Sequence, residues 1–208
     1  MLHVLHDSST AAPTVRPARS LLAEITEVLV LALAIYLVVG FAIQTVHVVG
    51  TSMYPTLGNG DYLIANKLEY HFHNPQRGDI IIMRDPYDQS LDFIKRVIGL
   101  PGERILIRDG SIYINGRLLH EPYLKGNEPW TVDANLADPG GNPEGLLIPN
   151  GYYFVMGDNR NHSSDSRFFG PVRRDEIEAR AIFRVLPLNR GGGIGGPAPF
   201  LGASLLAA

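Results

Sequence analysis

A mainly antiparallel β domain preceded by one membrane-spanning helix is the fold class that this 208-residue sequence predicts. Three observations predict it. Residues 28–43 carry no charge at all. From Thr45 onward the chain breaks into short β-branched runs separated by Gly, Pro, Asn and Asp. Asp109-Gly110 and Asn115-Gly116 sit between alternating strands, where such pairs favour the positive φ angles of tight hairpins.

Taken in order, residues 1–20 mix Ser, Thr, Ala, Pro and His without apolar periodicity and read as a disordered tail. Residues 21–44 form the anchor. Sixteen uncharged residues rise about 24 Å, and adding Leu21 to Glu27, with Glu24 and Glu27 near the headgroups, brings the length to that of a hydrocarbon core of about 30 Å. A buried soluble helix of this length usually keeps a polar stripe, and this one has none. The small-residue pattern Ala32-Leu33-Ala34, which an export signal would use for cleavage, lies inside the apolar run rather than after it, which favours a retained anchor. Basic residues do not line one face, as an interfacial helix would require. Arg16 and Arg19 precede the segment and no Lys or Arg follows it until Lys67, so the positive-inside rule puts the N-terminal tail in the cytoplasm and the rest outside.

Residues 45–189 read as one β domain. Thr45 to Val49 is a strand broken by Gly50, and Gly58-Asn59-Gly60-Asp61 is a turn. Strands are expected at Tyr62–Lys67, Gly78–Met83 and Asp92–Leu100, with a polar loop from Glu69 to Arg77. Residues 103–150 form a smaller β-rich insertion: a three-stranded meander over 104–119, then a loop-rich stretch from 121 to 150 with few apolar anchors. Tyr152–Met156 resumes a strand, Gly157 to Arg167 is a dense polar loop, Val172–Glu178 suits one helical turn, and Ala179–Leu186 is the last strand. Residues 190–208, rich in Gly and Ala, read as a flexible tail with no means of building a core.

Composition removes several functions. With 18 basic against 21 acidic residues and no basic cluster, no nucleic-acid partner is expected. The chain has no cysteine, which excludes disulfides and thiolate metal sites. His71 and His73 are the only close histidine pair and lack a clustered third ligand, so they read as a solvated loop, with neither metal nor cofactor expected.

The chemistry points to Ser52 and Lys95. Ser52 follows a strand on a turn, a place where serine commonly just caps the backbone, but Pro55 behind it blocks a return to a ladder and leaves the Ser52 amide available. In the strand Phe93-Ile94-Lys95-Arg96-Val97-Ile98, period two puts Phe93, Lys95 and Val97 on one face and Ile94, Arg96 and Ile98 on the other. A cation there either snorkels to water or is held dry. A dry lysine loses its proton more readily, since full burial shifts a pKa by about 3 to 5 units. Such a lysine can take the proton of a serine hydroxyl. Arg96 cannot, because guanidinium stays charged.

Ser52 in Gly-Thr-Ser-Met-Tyr-Pro-Thr-Leu, Lys95 in Phe-Ile-Lys-Arg-Val-Ile-Gly-Leu-Pro-Gly-Glu, and Gly157-Asp-Asn-Arg160 through Ser163-Ser-Asp165-Ser-Arg167 resemble the successive conserved boxes of bacterial type I signal peptidases. Order and spacing agree, and the likeness spans about residues 25–188. The resemblance implies a membrane-bound serine endopeptidase that removes signal peptides from exported preproteins, single-pass in the plasma membrane, with a β catalytic domain and a smaller β subdomain. It implies Ser52 as nucleophile, Lys95 as general base, Ser163 as the hydroxyl that orients the lysine amine, Asp165 and Arg167 as a pair behind the site, and Asp158 and Asn159 as its supports. It further implies preprotein partners with small residues at the first and third positions before the cut, the Ala-X-Ala pattern. One departure stands out: some members have a serine two residues before the nucleophile to help bind the oxyanion, and here that residue is Gly50, so the backbone amide of Ser52, with Gly50 contributing, is expected to serve.

Two other functions fit part of the pattern. Self-cleaving repressors use the same Ser–Lys chemistry but carry an N-terminal helix-turn-helix, where this chain has a charge-free apolar run. An inactive, membrane-tethered β domain that only binds an exported partner would leave Ser52 and Lys95 as ordinary residues.

Overall fold

The structure, a computed structural model, describes residues 20–124, 129–130 and 145–204. The expected disordered tail and most of the loop-rich stretch from 125 to 144 therefore lie outside the described residues. The chain divides into two compact units, residues 1–39 and 40–208.

The described part of the first unit belongs to a helix, α1 (Leu21–Ala42). Its only charges, Glu24 and Glu27, lie in the first two turns, Thr26 Oγ1 donates back to the Leu22 carbonyl at 2.8 Å, and none of its residues is buried. A helix apolar on all sides has no polar face to offer water. Among the described residues it is the one helix long and apolar enough to cross a membrane.

Among the described residues of the second unit, strands are the main regular structure. Strands β1 (Ile43–His47), β2 (Tyr62–Asn66), β3 (Ile80–Arg84) and β4 (Asp92–Gly99) come first. Next come β5 (Arg104–Arg108), β6 (Ser111–Ile114), β7 (Arg117–His120) and β8 (Leu146–Leu147). The chain then lays down β9 (Tyr152–Met156), β10 (Val172–Arg173), β11 (Ile177–Leu186), β12 (Gly192–Gly193) and β13 (Phe200–Ser204). The larger sheet has the order β1-β2-β11-β3-β4-β9-β10, with β12 added on β11; the smaller has the order β13-β7-β6-β5-β8.

The hairpins form for the reason their sequence states. Asp109 and Asn115 take φ of 50° and the glycines after them 68° and 74°, so both central residues of each turn are left-handed and match the strand twist. The larger sheet buries two faces. Ile81, Met83, Val97 and Val155 pack with Tyr70, Tyr153 and Ile177 on one side. On the other, Ile98, Phe154 and Met156 meet Ile105, Ile107, Ile112 and Ile114 of the smaller sheet, so one core joins the two.

The fold departs from the sequence reading at three places. The helical turn expected over Val172–Glu178 is confined to a 3-10 turn at Arg174–Glu176: Val172 before it pairs with Tyr153 as a strand, and β11 starts after it at Ile177. The loop from Glu69 holds a short helix, α2 (Glu69–Phe72), begun where Asn66 Oδ1 accepts the amides of Leu68 and Glu69. Residues 191–204 are not a loose tail. Gly192 and Gly193 pair with Arg184 and Phe183, Phe200 and Leu201 pair with His120 and Leu119, and Ile194 and Leu201 supply apolar anchors to two separate clusters.

Phe154 is 1% exposed where the two sheets meet. Phe154→Ala is expected to lower unfolding free energy by about 3–5 kcal/mol, read by thermal or chemical denaturation of the chain in detergent.

Candidate active site

Ser52 sits on a turn built from both ends. After β1, Val48 donates to the Asp61 carbonyl and accepts from Gly60, and Tyr54 and Leu57 close back on Thr51 and Met53. Met53 and Leu57 are buried beside Ile80, so the turn is nailed to the sheet on either side of a partly exposed Ser52. Its amide makes no hydrogen bond among the described residues. The Gly50 amide is different. Gly50 takes φ of 97° and its N–H is spent on Asn59 Oδ1 at 2.9 Å, which removes it as the expected second oxyanion donor.

Lys95 lies in β4, paired to Ile81 of β3, and is 3% exposed. Its amine reaches over the Phe93 ring, 4.8 Å from the centroid, and donates to Ser52 Oγ at 3.1 Å. Burial dominates its titration and pushes its pKa down to about 8, against the opposing pull of Asp165 and Asp85 and with a smaller downward push from Arg167. Loss of hydration disfavours the ammonium form, and among the described residues no carboxylate forms an ion pair with it.

The other expected site residues lie in the loop after β9. Asn159 fastens the serine turn twice, its amide donating to the Ser52 carbonyl at 2.9 Å and its side chain to the Thr51 carbonyl at 3.1 Å. Asp165 caps a second short helix-like turn, α3 (Ser166–Phe169), accepts from the Gly157 amide at 3.0 Å, and clasps Arg167 with both oxygens at 2.7 and 2.8 Å. Asp158 holds Arg96 on the opposite face of β4 from Lys95, at 2.8 and 2.6 Å, with both side chains fully buried. Ser163 departs from expectation. Its hydroxyl is buried without a hydrogen-bond partner among the described residues and makes no bond to the Lys95 amine. It is pressed onto Gly157, where a Cβ would lie 2.2 Å from Ser163 Oγ and 2.4 Å from the Ser52 carbonyl oxygen, so the close approach of these two segments requires glycine.

A cleft of about 660 Å³ opens over Ser52 and Lys95, walled by residues 44–51 on one side and 91–94 on the other, with His162 and Ser164 at its rim. Both walls are strand edges. β1 ends its sheet, and β9 meets β4 only from Arg96 onward, so the β4 edge from Asp92 to Lys95 has no strand partner opposite β3 among the described residues. An extended peptide fits such a gap by adding to the ladder.

A serine hydroxyl against a desolvated amine, with a free backbone amide on the serine and a strand-lined cleft above, is the equipment of a hydrolase of the Ser–Lys kind. Comparison with known proteins places the chain among peptidases. Residues 21–186 match the model of the family described as signal peptidase, peptidase S26. A probable signal peptidase I-1 of Synechocystis is 39% identical over 162 residues, covering 74% of this chain and 77% of the relative. A signal peptidase I V of Bacillus subtilis is 43% identical over 62% of this chain and 77% of its own, and a signal peptidase IB of Staphylococcus aureus is 32% identical over 82% and 92%. A solved signal peptidase I of Enterococcus faecalis shares 42% identity over 52% of this chain and 97% of its own, with a TM-score of 0.44. The chain belongs to the peptidase S26 signal peptidase family.

Sequence reasoning overlooked several groups at the site. Nothing marked Asp85, a buried carboxylate on the turn after β3, as a neighbour of Lys95. Nor was the clasp of Arg160 by Glu121 visible, 39 residues apart in the chain. Asn59, in a turn rich in Gly and Asn, looked like turn chemistry alone, yet it decides what the Gly50 amide does.

Holding an ammonium dry costs stability. Below a pH of about 8 Lys95 is protonated in both the folded and unfolded chain, and the burial cost is complete. Between that pH and about 10.4 the unfolded chain holds more protons, so stability rises with pH and the cost fades. Lys95→Met is therefore expected to stabilise the fold by up to about 3 kcal/mol at neutral pH, with the gain shrinking toward pH ~10.4, as measured by denaturant titrations across pH.

Proposed function

We propose that this chain is a membrane-tethered serine endopeptidase that cleaves signal peptides from exported preproteins, with Ser52 as nucleophile and Lys95 as general base. The single observation that carries the reading is a buried lysine amine, its pKa lowered to about 8, in hydrogen-bond contact with the hydroxyl of a serine whose own amide is free.

In its neutral form Lys95 takes the Ser52 hydroxyl proton as the oxygen attacks the scissile carbonyl. The negative oxygen of the tetrahedral intermediate rests on the Ser52 N–H. Lys95 then passes the proton to the leaving amine of the mature protein, and the signal peptide stays as an ester on Ser52 until water, deprotonated by Lys95, releases it. Asn159 keeps the Ser52 turn from yielding during attack. Ser163 has a role left open to it in this cycle: an unpaired buried hydroxyl costs about 1–3 kcal/mol, and a bond to the Lys95 amine once it lets go of Ser52 relieves that cost.

The substrate enters extended between the edges of β1 and β4, where alternate residues face the same wall. The first and third positions before the cut then share one wall, which suits the Ala-X-Ala pattern. Arg16 and Arg19 ahead of the apolar helix favour a cytoplasmic N-terminus. Only nine residues lie between Ala42 and Ser52 in the chain, which suits a substrate arriving from lipid in the plasma membrane.

With the full chain in detergent and a preprotein substrate, Ser52→Ala and Lys95→Ala should each lower kcat/KM by about 10³-fold or more without loss of fold. Near wild-type turnover in either variant removes the dyad. For the wild type, kcat/KM should climb through a midpoint near pH 8 as Lys95 loses its proton, whereas a flat profile between about pH 6 and 9 is incompatible with lysine as base. A panel of preproteins with Ala, Leu or Phe at the first and third positions before the cut should be cleaved only with the small residue; equal cleavage of all three sinks the specificity assignment.

A further inference from the structure

The family match stops at residue 186, yet the chain beyond it returns across the folded unit. Gly192 and Gly193 pair with β11, and Ile194 drops into the cluster that holds Met53, the neighbour of Ser52. Gly195, at φ of 129°, turns its carbonyl onto Arg96 Nη1 at 2.9 Å. Pro199 then fills the space over Gly78, at the point where a Cβ there would lie 2.6 Å from its ring. Phe200 and Leu201 finish the crossing by pairing with β7, Phe200 stacking on His120 at 4.8 Å between centroids.

We infer that residues 191–204 form a positioning strap for the peptidase site, acting on the Ser52 turn through the Gly195 carbonyl, Arg96 and the loop that begins at Gly157. Arg96 is the joint. Its Nε and Nη2 are spent on Asp158, its Nη1 is shared by the carbonyls of Gly78 and Gly195, and its guanidinium lies 3.8 Å from the Tyr123 ring centroid. The strap supplies one of those two carbonyls and packs against the residue supplying the other. Asp158 stands between Gly157, which touches the Ser52 carbonyl, and Asn159, which bonds to it. A buried ion pair keeps its geometry only while its remaining donors are satisfied and water is excluded. Glycine at 195 serves this aim, because an L side chain rarely takes φ of 129°. The cleft walls contain no strap residue, so the strap acts on catalysis and not on substrate binding.

The inference rests on the reading of Ser52 and Lys95 as the peptidase dyad, and the test separates the two. The full-length chain, a chain ending at Arg190 and Gly195→Ala are assayed on a preprotein in detergent beside Ser52→Ala, with thermal melts of each. The shortened chain is assayed again with a synthetic peptide of residues 191–204, and with a scrambled one. The strap predicts that the shortened chain, well below its melting midpoint, loses kcat by about 10- to 100-fold with KM held within about twofold. It also predicts that the peptide restores kcat saturably and that the scrambled peptide does not. Wild-type kcat in the folded, shortened chain overturns the inference, as does lost activity that the peptide fails to restore. If the shortened chain does not fold, Gly195→Ala decides: a kcat reduced by about threefold or more at unchanged KM supports the strap, and an unchanged kcat overturns it. A wild-type chain as inert as Ser52→Ala removes the peptidase reading and the strap with it.

Discussion

Everything in the folded unit answers to one constraint: the Lys95 amine must be kept out of water and still touch Ser52. An ammonium group loses several kcal/mol of hydration when buried, and a nearby carboxylate normally repays that loss by pairing with it. Here repayment is withheld. Asp165 is close enough to pull on the lysine, but both of its oxygens are committed to Arg167 and one of them also holds the Gly157 amide. The desolvation therefore outweighs the attraction, and the pKa falls instead of rising.

The two cations side by side in β4 make the contrast plain. Arg96 and Lys95 are both buried, on opposite faces of one strand. Arg96 receives two carboxylate oxygens and two carbonyls and remains a permanent charge that fixes structure. Lys95 receives a serine hydroxyl and an aromatic face. The same strand thus stores one cation as a tie and presents the other as a titratable amine, and the loop from Gly157 to Arg167 serves both by supplying Asp158 to the first and pre-empting Asp165 from the second.

Local signals in the sequence were the legible ones. The Asp-Gly and Asn-Gly hairpins, the Tyr152–Met156 strand and the alternation of faces in β4 follow from turn chemistry and period two, and the structure places them accordingly. The adjacency of Ser52 and Lys95, 43 residues apart, was reachable only through the resemblance of three motifs in order, because no local pattern encodes a long-range contact. What stayed hidden was mostly a question of partners. Gly50 read as a backbone donor until Asn59 was seen to occupy its amide. The glycine-rich end read as loose because composition counts side chains, while Gly192, Gly195 and Gly196 act here through positive φ and close backbone approach. Val172 read as helical because a two-residue strand has too little sequence to announce itself.

The central claim is that Lys95 is a desolvated amine at rest, and the most direct measurement is its own titration. In the full chain in detergent, with lysine labelled at the ε carbon, the Lys95 signal, assigned by its absence in Lys95→Met, is followed by NMR across pH. The account predicts a midpoint near 8 for this lysine while exposed ones titrate normally. A Lys95 midpoint at the ordinary value of about 10.4 would contradict it.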